Sequence, residues 1–274
     1  MKKKKIKNPL IRRIPKELIG DWKKYLVVFL FLVLTIGFVS GMYVANESMI
    51  TSANEGVTKY KQEDGHFELK KQADATLLSA IETGEKADFK ATKTTLYENF
   101  FRNEEEDYNN DGKKDGTIRV FAKTKDINLA CMLQGSFPQK ADEIAIDRMH
   151  ADNVGIKVGD TVTVSGETYK VVGLLAYVNY STLHEKTTDL MFDALKFDVA
   201  MVTQDGFDRL HKSIHYTYAW KYETEPADEA GEKTRSDNFM RALLTQVVVA
   251  DNELEDYTPK YGNPAINFAT DDMG

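Results

Sequence analysis

A run of 21 residues without a charge, residues 25–45, most constrains what this chain can fold into. Its sequence is YLVVFLFLVLTIGFVSGMYVA, and as an α-helix it would be about 30 Å long, close to the thickness of a bilayer's hydrocarbon core. A helix can cross lipid because it satisfies its own backbone hydrogen bonds. We therefore predict a transmembrane helix over 25–45. A cleaved signal peptide is the alternative, but the run and its basic lead are long for one, and no A-x-A site follows.

The segment ahead of this run, residues 1–24, is strongly basic. It holds ten Lys or Arg and two acids, a net charge of +8; the whole chain carries −7, which leaves −15 on residues 25–274. The positive-inside rule predicts a cytoplasmic N-terminus and an extracellular location for residues 46–274 at a plasma membrane. Apolar residues at helical spacing make 1–24 a candidate interfacial segment on the lipid surface. The acidic body would repel phosphates, so no nucleic-acid partner is expected.

The helical pattern continues beyond the apolar run. No proline occurs between Pro15 and Pro138, and apolar residues at helical spacing extend to about residue 62. This predicts a helical stalk over 46–62, which either transmits motion from the membrane helix to the outer domain or only connects the two. Within the run, Gly37 and Gly41 form a G-x-x-x-G pair that would allow another membrane helix to approach closely, although glycine is common in membrane helices for other reasons.

Residues 63–274 show short strand and helix patterns in mixed order, which predicts an α+β fold rather than regular βαβ units. The predicted strands cover 65–70, 89–101, 116–123, 142–147, 194–203, 216–223 and 247–251, with a hairpin over 160–175. The predicted helices cover 73–83, 148–155, 205–214 and 236–246, the last capped by Ser236.

The sequence holds no Walker A, G-x-S-x-G or H-E-x-x-H pattern, so we predict no catalytic residue, no cofactor and no enzyme activity. Cys131, the single cysteine, is predicted to be a small buried hydrophobic residue. His211 and His215 are one helical turn apart but are too few to hold zinc, and we interpret them as exposed helix histidines. The aromatic side chains of 216–223 either line a binding surface or face a core.

One loop resembles a calcium site. Asp107, Asn109, Asp111 and Asp115 occupy positions 1, 3, 5 and 9 of the calcium-loop pattern in DYNNDGKKDG. The twelfth position, where a bidentate Glu should close the site, is Ile118. The same residues are typical of a polar turn between two strands. The loop is therefore a weak calcium candidate, and we commit to no metal site.

Residues 142–175, DEIAIDRMHADNVGIKVGDTVTVSGETYKVVGLL, carry a resemblance to a known family. An E-I-A-I strand, a short helix, V-G-D before a hairpin and a V-V-G ending resemble the core domain of MacB-type proteins. With the basic lead, one span and a stalk, the chain resembles the N-terminal half of an FtsX-like ABC transporter permease. The lead KNPLIRRIPKELIGDWKKY is similar to that of such permeases from Gram-positive bacteria.

The resemblance implies a permease subunit whose membrane helix and stalk couple ATPase-driven motion to an extracellular domain that handles a peptide, lipid or drug. It implies a cytoplasmic ABC ATPase, a second permease copy and a lipid membrane as partners. Family members continue with three more membrane helices, so we expect this chain to be a fragment of a longer permease. The alternative is a single-span receptor whose outer domain binds a ligand without transport.

Overall fold

The first helix, α1, is the longest element of the chain. In the computed structural model, which describes residues 19–83 and 94–266, α1 extends over Trp22–Lys59, 38 residues. Its segment Trp22–Ser48 is long and apolar enough to cross a membrane, and none of it is buried within the structure. The predicted interfacial segment 1–24 lies mostly outside the described residues. The predicted stalk reached residue 62, whereas α1 ends at Lys59.

The chain divides into two compact units, residues 1–53 and 54–274. The division falls inside the predicted stalk; the predicted bounds 1–24, 25–45, 46–62 and 63–274 stay a prediction. The first unit consists, among its described residues, of helix. The second is a mixed α+β unit, which confirms the predicted fold class.

A four-stranded antiparallel sheet forms one half of the second unit, in the order β11-β1-β10-β2. Its members are β1 Gly65–Leu69, β2 Thr94–Glu98, β10 Tyr216–Tyr222 and β11 Leu254–Pro259. Helices α2 Ala75–Thr83 and α5 Glu229–Val249 pack on it. Its core is rich in aromatic rings because alternate residues of β10, from Tyr218 to Tyr222, point into it with Phe67 and Phe239.

A seven-stranded sheet forms the other half, in the order β5-β8-β6-β9-β4-β3-β7. The strands are β3 Phe101–Asp107, β4 Gly116–Ala122, β5 Ala130–Gly135, β6 Glu143–Asp147, β7 Thr161–Val164, β8 Glu167–Tyr177 and β9 Phe197–Val202. Since β7 also pairs with β8, six of these strands form a closed ring. Branched residues of β4, β6, β7 and β8 fill one core of this sheet. Two short helices, α3 Arg148–Val154 and α4 Gln204–Asp208, follow β6 and β9.

The clearest sequence patterns formed as predicted. Asp147 caps α3 through Met149 N at 2.7 Å, and Gly155 ends it with φ 85°. The hairpin β7–β8 turns at Ser165 and Gly166, both with positive φ. Every residue of β9 is buried, as predicted for the strand over 194–203.

Four predicted elements were wrong, two of them in one segment. The strand expected over 89–101 covers only Thr94–Glu98 in the described part, and the charged stretch Phe101–Asp107 is a separate strand. The helix expected over 205–214 ends at Asp208. The helix expected from Ser236 starts after Asp228 and continues to Val249, through the residues expected to form a strand.

Candidate functional site

The residues after α1 fasten the chain to the seven-stranded sheet. The Tyr60 hydroxyl donates to Cys131 Sγ at 2.8 Å, and Leu129 N donates to Tyr60 O at 2.8 Å. Gln62 Nε2 donates to Val178 O at 3.2 Å. Cys131 is therefore half-buried and hydrogen-bonded, not the inert buried residue that we predicted. Because these bonds join Tyr60 and Gln62 to residues beside β5 and β8, they would pass a displacement of Tyr60 to the sheet.

A buried acidic network lies just beyond. Glu63 is fully buried, and its backbone N–H and carboxylate both bond to the Asn128 side chain. His66 Nδ1 donates to Glu63 Oε1 at 2.6 Å. Burial alone would lower the pKa of His66, but the Glu63 charge, its hydrogen bond and Asp256 together raise it.

A cleft of about 290 Å³ opens between the two sheets of the second unit. Arg119 of β4 lines it, with its guanidinium 4.3 Å from the Phe101 ring centroid and 5.2 Å from that of Phe197. The cleft is also lined by residues from both sheets and from the 179–188 segment: His66, Glu68, Asn99, Phe121, Asn179, Tyr180, Glu185, Lys186, Thr187, Thr188, Thr217 and Asp256.

The Arg119 guanidinium donates only to uncharged acceptors among its hydrogen-bond partners. These are Asn103 Oδ1 at 3.0 Å, the Tyr180 hydroxyl at 2.8 Å and Glu185 O at 3.0 Å. A planar, stacked guanidinium of this kind suits a ligand carboxylate or phosphate. Glu68 and Asp256 also line the cleft, but each faces a histidine: Glu68 accepts from His215 Nδ1 at 2.6 Å, and Asp256 lies 3.7 Å from His66 Nε2. The arrangement favours binding a ligand with an anionic group, such as the carboxylate of a peptide.

The calcium-like loop holds itself together through its own backbone. Asp107 accepts from Asp111 N at 3.1 Å and Gly112 N at 2.8 Å. Asp115 accepts from Tyr108 N at 3.1 Å and from the Asn109 side chain at 3.2 Å. These bonds are typical of Asx turns at a hairpin tip. Calcium binding by Asp107, Asn109, Asp111 and Asp115 stays a prediction.

Among the described residues, one group of three side chains could hold a metal ion through converging His, Cys or carboxylate atoms. One of its members, Glu106, directly precedes the calcium-like loop in the sequence. The group consists of Glu106 on β3, His150 on α3 and Asp198 on β9, whose ligand atoms lie within 4.8 Å of one another. All three side chains are fully buried. We name this cluster the acid–histidine triad.

Burial and neighbouring charges shift the pKa values of His150, Asp198 and the nearby Asp147. Burial lowers the pKa of His150, but Asp198 and Glu106 raise it to about 9. Burial raises the pKa of Asp198 well above its usual range, and that of Asp147 to about 6.

Sequence reasoning missed both Arg119 and the triad, since their members come from distant parts of the chain without a motif. One partial signal was present: Asp198 is an acid inside the predicted strand 194–203. His211 and His215 are not on a helix, contrary to our interpretation. His211 is exposed in a loop, and His215 donates from Nδ1 to Glu68 Oε1 at 2.6 Å. The aromatic residues of 216–223 mainly face the core, the second of the two alternatives.

No protein-family model matches this sequence, and no curated protein matches it by sequence similarity. Solved structures match at low identity. The extracellular domain of the noncanonic ABC-type transporter YknZ from Gram-positive bacteria is 13% identical over 70% of this chain and 100% of that chain, with a TM-score of 0.34. The periplasmic region of MacB from Actinobacillus actinomycetemcomitans is 8% identical over 70% of this chain and 88% of that chain, with a TM-score of 0.36.

A protein from Bacillus anthracis that is provisionally named a lipoprotein is 10% identical over 71% of this chain and 96% of that chain, with a TM-score of 0.32. At these identities and TM-scores the likeness carries no conclusion about what this chain does, and the mixed α+β fold rests on its own strands and helices.

Proposed function

We propose that this chain is the N-terminal portion of a permease subunit of an ABC transporter. The observation that carries the proposal is α1, a single helix that begins with the candidate span Trp22–Ser48 and ends at Lys59. Tyr60, the next residue, is already bonded to Cys131 of β5. One element thus joins the apolar segment to the start of the α+β unit.

A second feature supports the proposal. Residues 142–175 form a strand, a short capped helix and a hairpin, in the order that the resemblance to MacB-type core domains implies. Lysines and arginines precede the span, which favours a cytoplasmic N-terminus and an extracellular α+β unit. Together they favour a subunit that conveys motion outward.

In this function the chain itself hydrolyses nothing. A cytoplasmic ABC ATPase supplies the energy, a second permease copy completes the assembly, and α1 acts as the lever. The cleft around Arg119 then receives the substrate, a peptide, lipid or drug, on the extracellular side.

The test uses the complex in which this chain co-purifies with its ATPase. A helix-breaking Gly-Pro pair is inserted into the chain after Ala53. An Ala-Ala insertion at the same point is the matched control, because it shifts the helix register equally but keeps the helix. A fluorophore on Leu190→Cys, in a Cys131→Ser background, reports on the α+β unit, since Leu190 is 99% exposed.

We expect ATP to change the fluorophore signal in the native and Ala-Ala proteins and to leave it unchanged in the Gly-Pro protein, with equal expression. An ATP response that survives the Gly-Pro insertion would refute the lever. Failure of any ATPase to co-purify would refute the permease assignment.

The Arg119 cleft favours a second candidate, an anchored receptor that binds a ligand without transport. This function predicts that the purified chain binds a peptide-like ligand without an ATPase, and that Arg119→Gln abolishes binding whereas Lys186→Gln only weakens it.

A further inference from the structure

The acid–histidine triad brings together three elements that are far apart in sequence. Glu106 lies near the end of β3, His150 in α3 and Asp198 near the start of β9. Each side chain is fully buried. His150 Nε2 lies 3.3 Å from Glu106 Oε2.

The atoms that face one another in the triad have no hydrogen-bond partner among the described residues. They are both carboxylate oxygens of Glu106, Nε2 of His150 and Oδ2 of Asp198. Buried polar atoms are normally hydrogen-bonded, and buried charges are normally paired or bound to a metal. A shared cation would satisfy all of these atoms at once.

The other polar atoms of His150 and Asp198 form hydrogen bonds with the backbone. His150 Nδ1 donates to Ala194 O at 2.8 Å, which leaves the lone pair of the neutral ring on Nε2. Asp198 Oδ1 accepts from Val199 N at 2.7 Å and Asp147 N at 3.2 Å, which leaves Oδ2 as the unengaged oxygen. A metal-bound histidine is held by the same kind of second contact, a hydrogen bond from its other ring nitrogen to a carbonyl.

One of the spacings in the triad agrees with a small, four-coordinate ion, and the others are at most 4.8 Å. Bonds of about 2.0–2.2 Å in a tetrahedral zinc site separate the ligand atoms by roughly 3.3–3.5 Å. The distance between His150 Nε2 and Glu106 Oε2, 3.3 Å, falls in this range. One imidazole and two carboxylates suit zinc or a similar divalent transition ion better than calcium or magnesium, which prefer oxygen ligands alone.

We propose that Glu106, His150 and Asp198 form a structural site for a divalent transition-metal ion, with zinc as the probe ion. The site differs from the calcium-like loop, because the Asp107 carboxylate next to Glu106 is already bonded to the backbone of its own loop. The bound ion links β3, β9 and α3 within the α+β unit. Its two positive charges balance the two carboxylates.

The test uses the purified full chain in detergent, stripped with a chelator and then titrated with Zn²⁺. We expect one zinc per chain after gel filtration and a higher unfolding temperature, since an ion that binds only the folded state stabilises it. Glu106→Gln and His150→Gln should each weaken zinc binding at least about tenfold. Asp111→Asn, in the neighbouring loop, is the matched control and should bind zinc like the native chain.

Native protein alone provides a second measurement if the two variants fail to fold. X-ray absorption at the zinc edge should show one imidazole nitrogen and oxygens at about 2.0 Å. Absence of bound zinc would overturn the proposal and identify the triad as a histidinium between two carboxylates. Loss of zinc in Asp111→Asn, or a sulfur ligand at about 2.3 Å that places the ion on Cys131, would overturn it as well.

Discussion

At the scale of single residues, one glycine permits an unusually close approach of two strands. Gly135, at the end of β5, has φ 77°, and a Cβ placed there would lie 2.2 Å from Val172 O. Gly112, in the calcium-like loop, has a similar φ of 84°, but a Cβ there would meet nothing within 4 Å. Alanine at Gly112 would therefore cost only backbone strain, whereas alanine at Gly135 would cost backbone strain and a steric clash.

We expect Gly112→Ala to lower the free energy of unfolding by about 1–2 kcal/mol, the cost of an L residue in the left-handed region. Gly135→Ala should cost about 1–3 kcal/mol more, because Val172 must also move. Urea denaturation of the two variants beside the native chain measures both values. Equal costs would contradict the close approach between β5 and β8.

His66 gives a prediction about pH. Its folded-state pKa is raised by Glu63 and Asp256 against the effect of burial. The stabilisation from its proton is therefore complete below the unfolded pKa of about 6.5 and is lost as pH rises through the folded value. Chemical denaturation between about pH 5.5 and pH 8.5 should show a smaller loss in His66→Gln than in the native chain, because His150, whose pKa is raised to about 9, contributes its own loss to both.

His211→Gln is the control for that experiment, since His211 is exposed and His66 is not. Its stability should follow the native pH profile. If His66→Gln follows the native profile too, Glu63 does not hold a proton on His66.

The residue scale also explains which site residues the sequence could indicate. The DYNNDGKKDG loop attracts attention because its acids are close in sequence, yet their hydrogen bonds stay within the loop. The triad was beyond reach, because Glu106, His150 and Asp198 meet only through the strand order β9-β4-β3 and the position of α3. No spacing along the chain encodes that order.

At the scale of elements, α5 shows how a cap decides where a helix starts. The Asp228 side chain accepts from Gly231 N at 2.7 Å and caps the helix, whereas Ser236, the predicted cap, lies buried inside it and bonds to Tyr257. The polar first two turns, EAGEKTRS, hid the start because they show no apolar stripe. The strand expected over 247–251 is helix up to Val249 instead: Val247 packs in the core on the apolar face of the helix, and Val248 and Val249 are exposed.

Two Asp→Ala substitutions, one at the cap of α5 and one inside the helix, test whether α5 starts at Asp228. Asp228→Ala should destabilise the protein by about 1 kcal/mol through loss of the cap. Asp237→Ala, exposed in the helix interior, should be neutral or slightly stabilising because alanine has the higher helix propensity. Thermal unfolding of both variants provides the comparison, and a larger loss for Asp237→Ala would place the functional cap elsewhere.

Elements with regular alternation, a mostly apolar sequence or a clear cap were predictable. The hairpin β7–β8, the strand β9 and the helix α3 lie where the patterns placed them. Strand β3 failed because its sequence, FRNEEED, reads as solvent-exposed. In the fold it crosses the sheet interior, with Glu104 bonded to Ser165 and to Lys212 N at 3.0 Å. Tertiary hydrogen bonds, absent from any local pattern, make this strand possible.

At the scale of the whole molecule, the charge distribution divides the chain more sharply than any sequence motif. Residues 1–24 carry +8 and the remainder −15, with an uncharged segment between them. The segment Trp22–Ser48 exposes large apolar side chains such as Phe29, Phe31 and Leu34, a pattern typical of a membrane anchor or a signal segment. The sequence therefore determines this apolar helix more firmly than it determines the order of strands.

The orientation that follows can be tested with two single cysteines in a Cys131→Ser background. Lys5→Cys marks the basic lead, and Leu190→Cys marks an exposed apolar tip of the α+β unit. The positive-inside rule predicts that a membrane-impermeant maleimide labels Leu190→Cys on intact cells and Lys5→Cys only after permeabilisation. The opposite pattern would place the Arg119 cleft in the cytoplasm and end the permease proposal in its present form. A labelled Leu190→Cys released into the medium would instead identify the apolar segment as a cleaved signal.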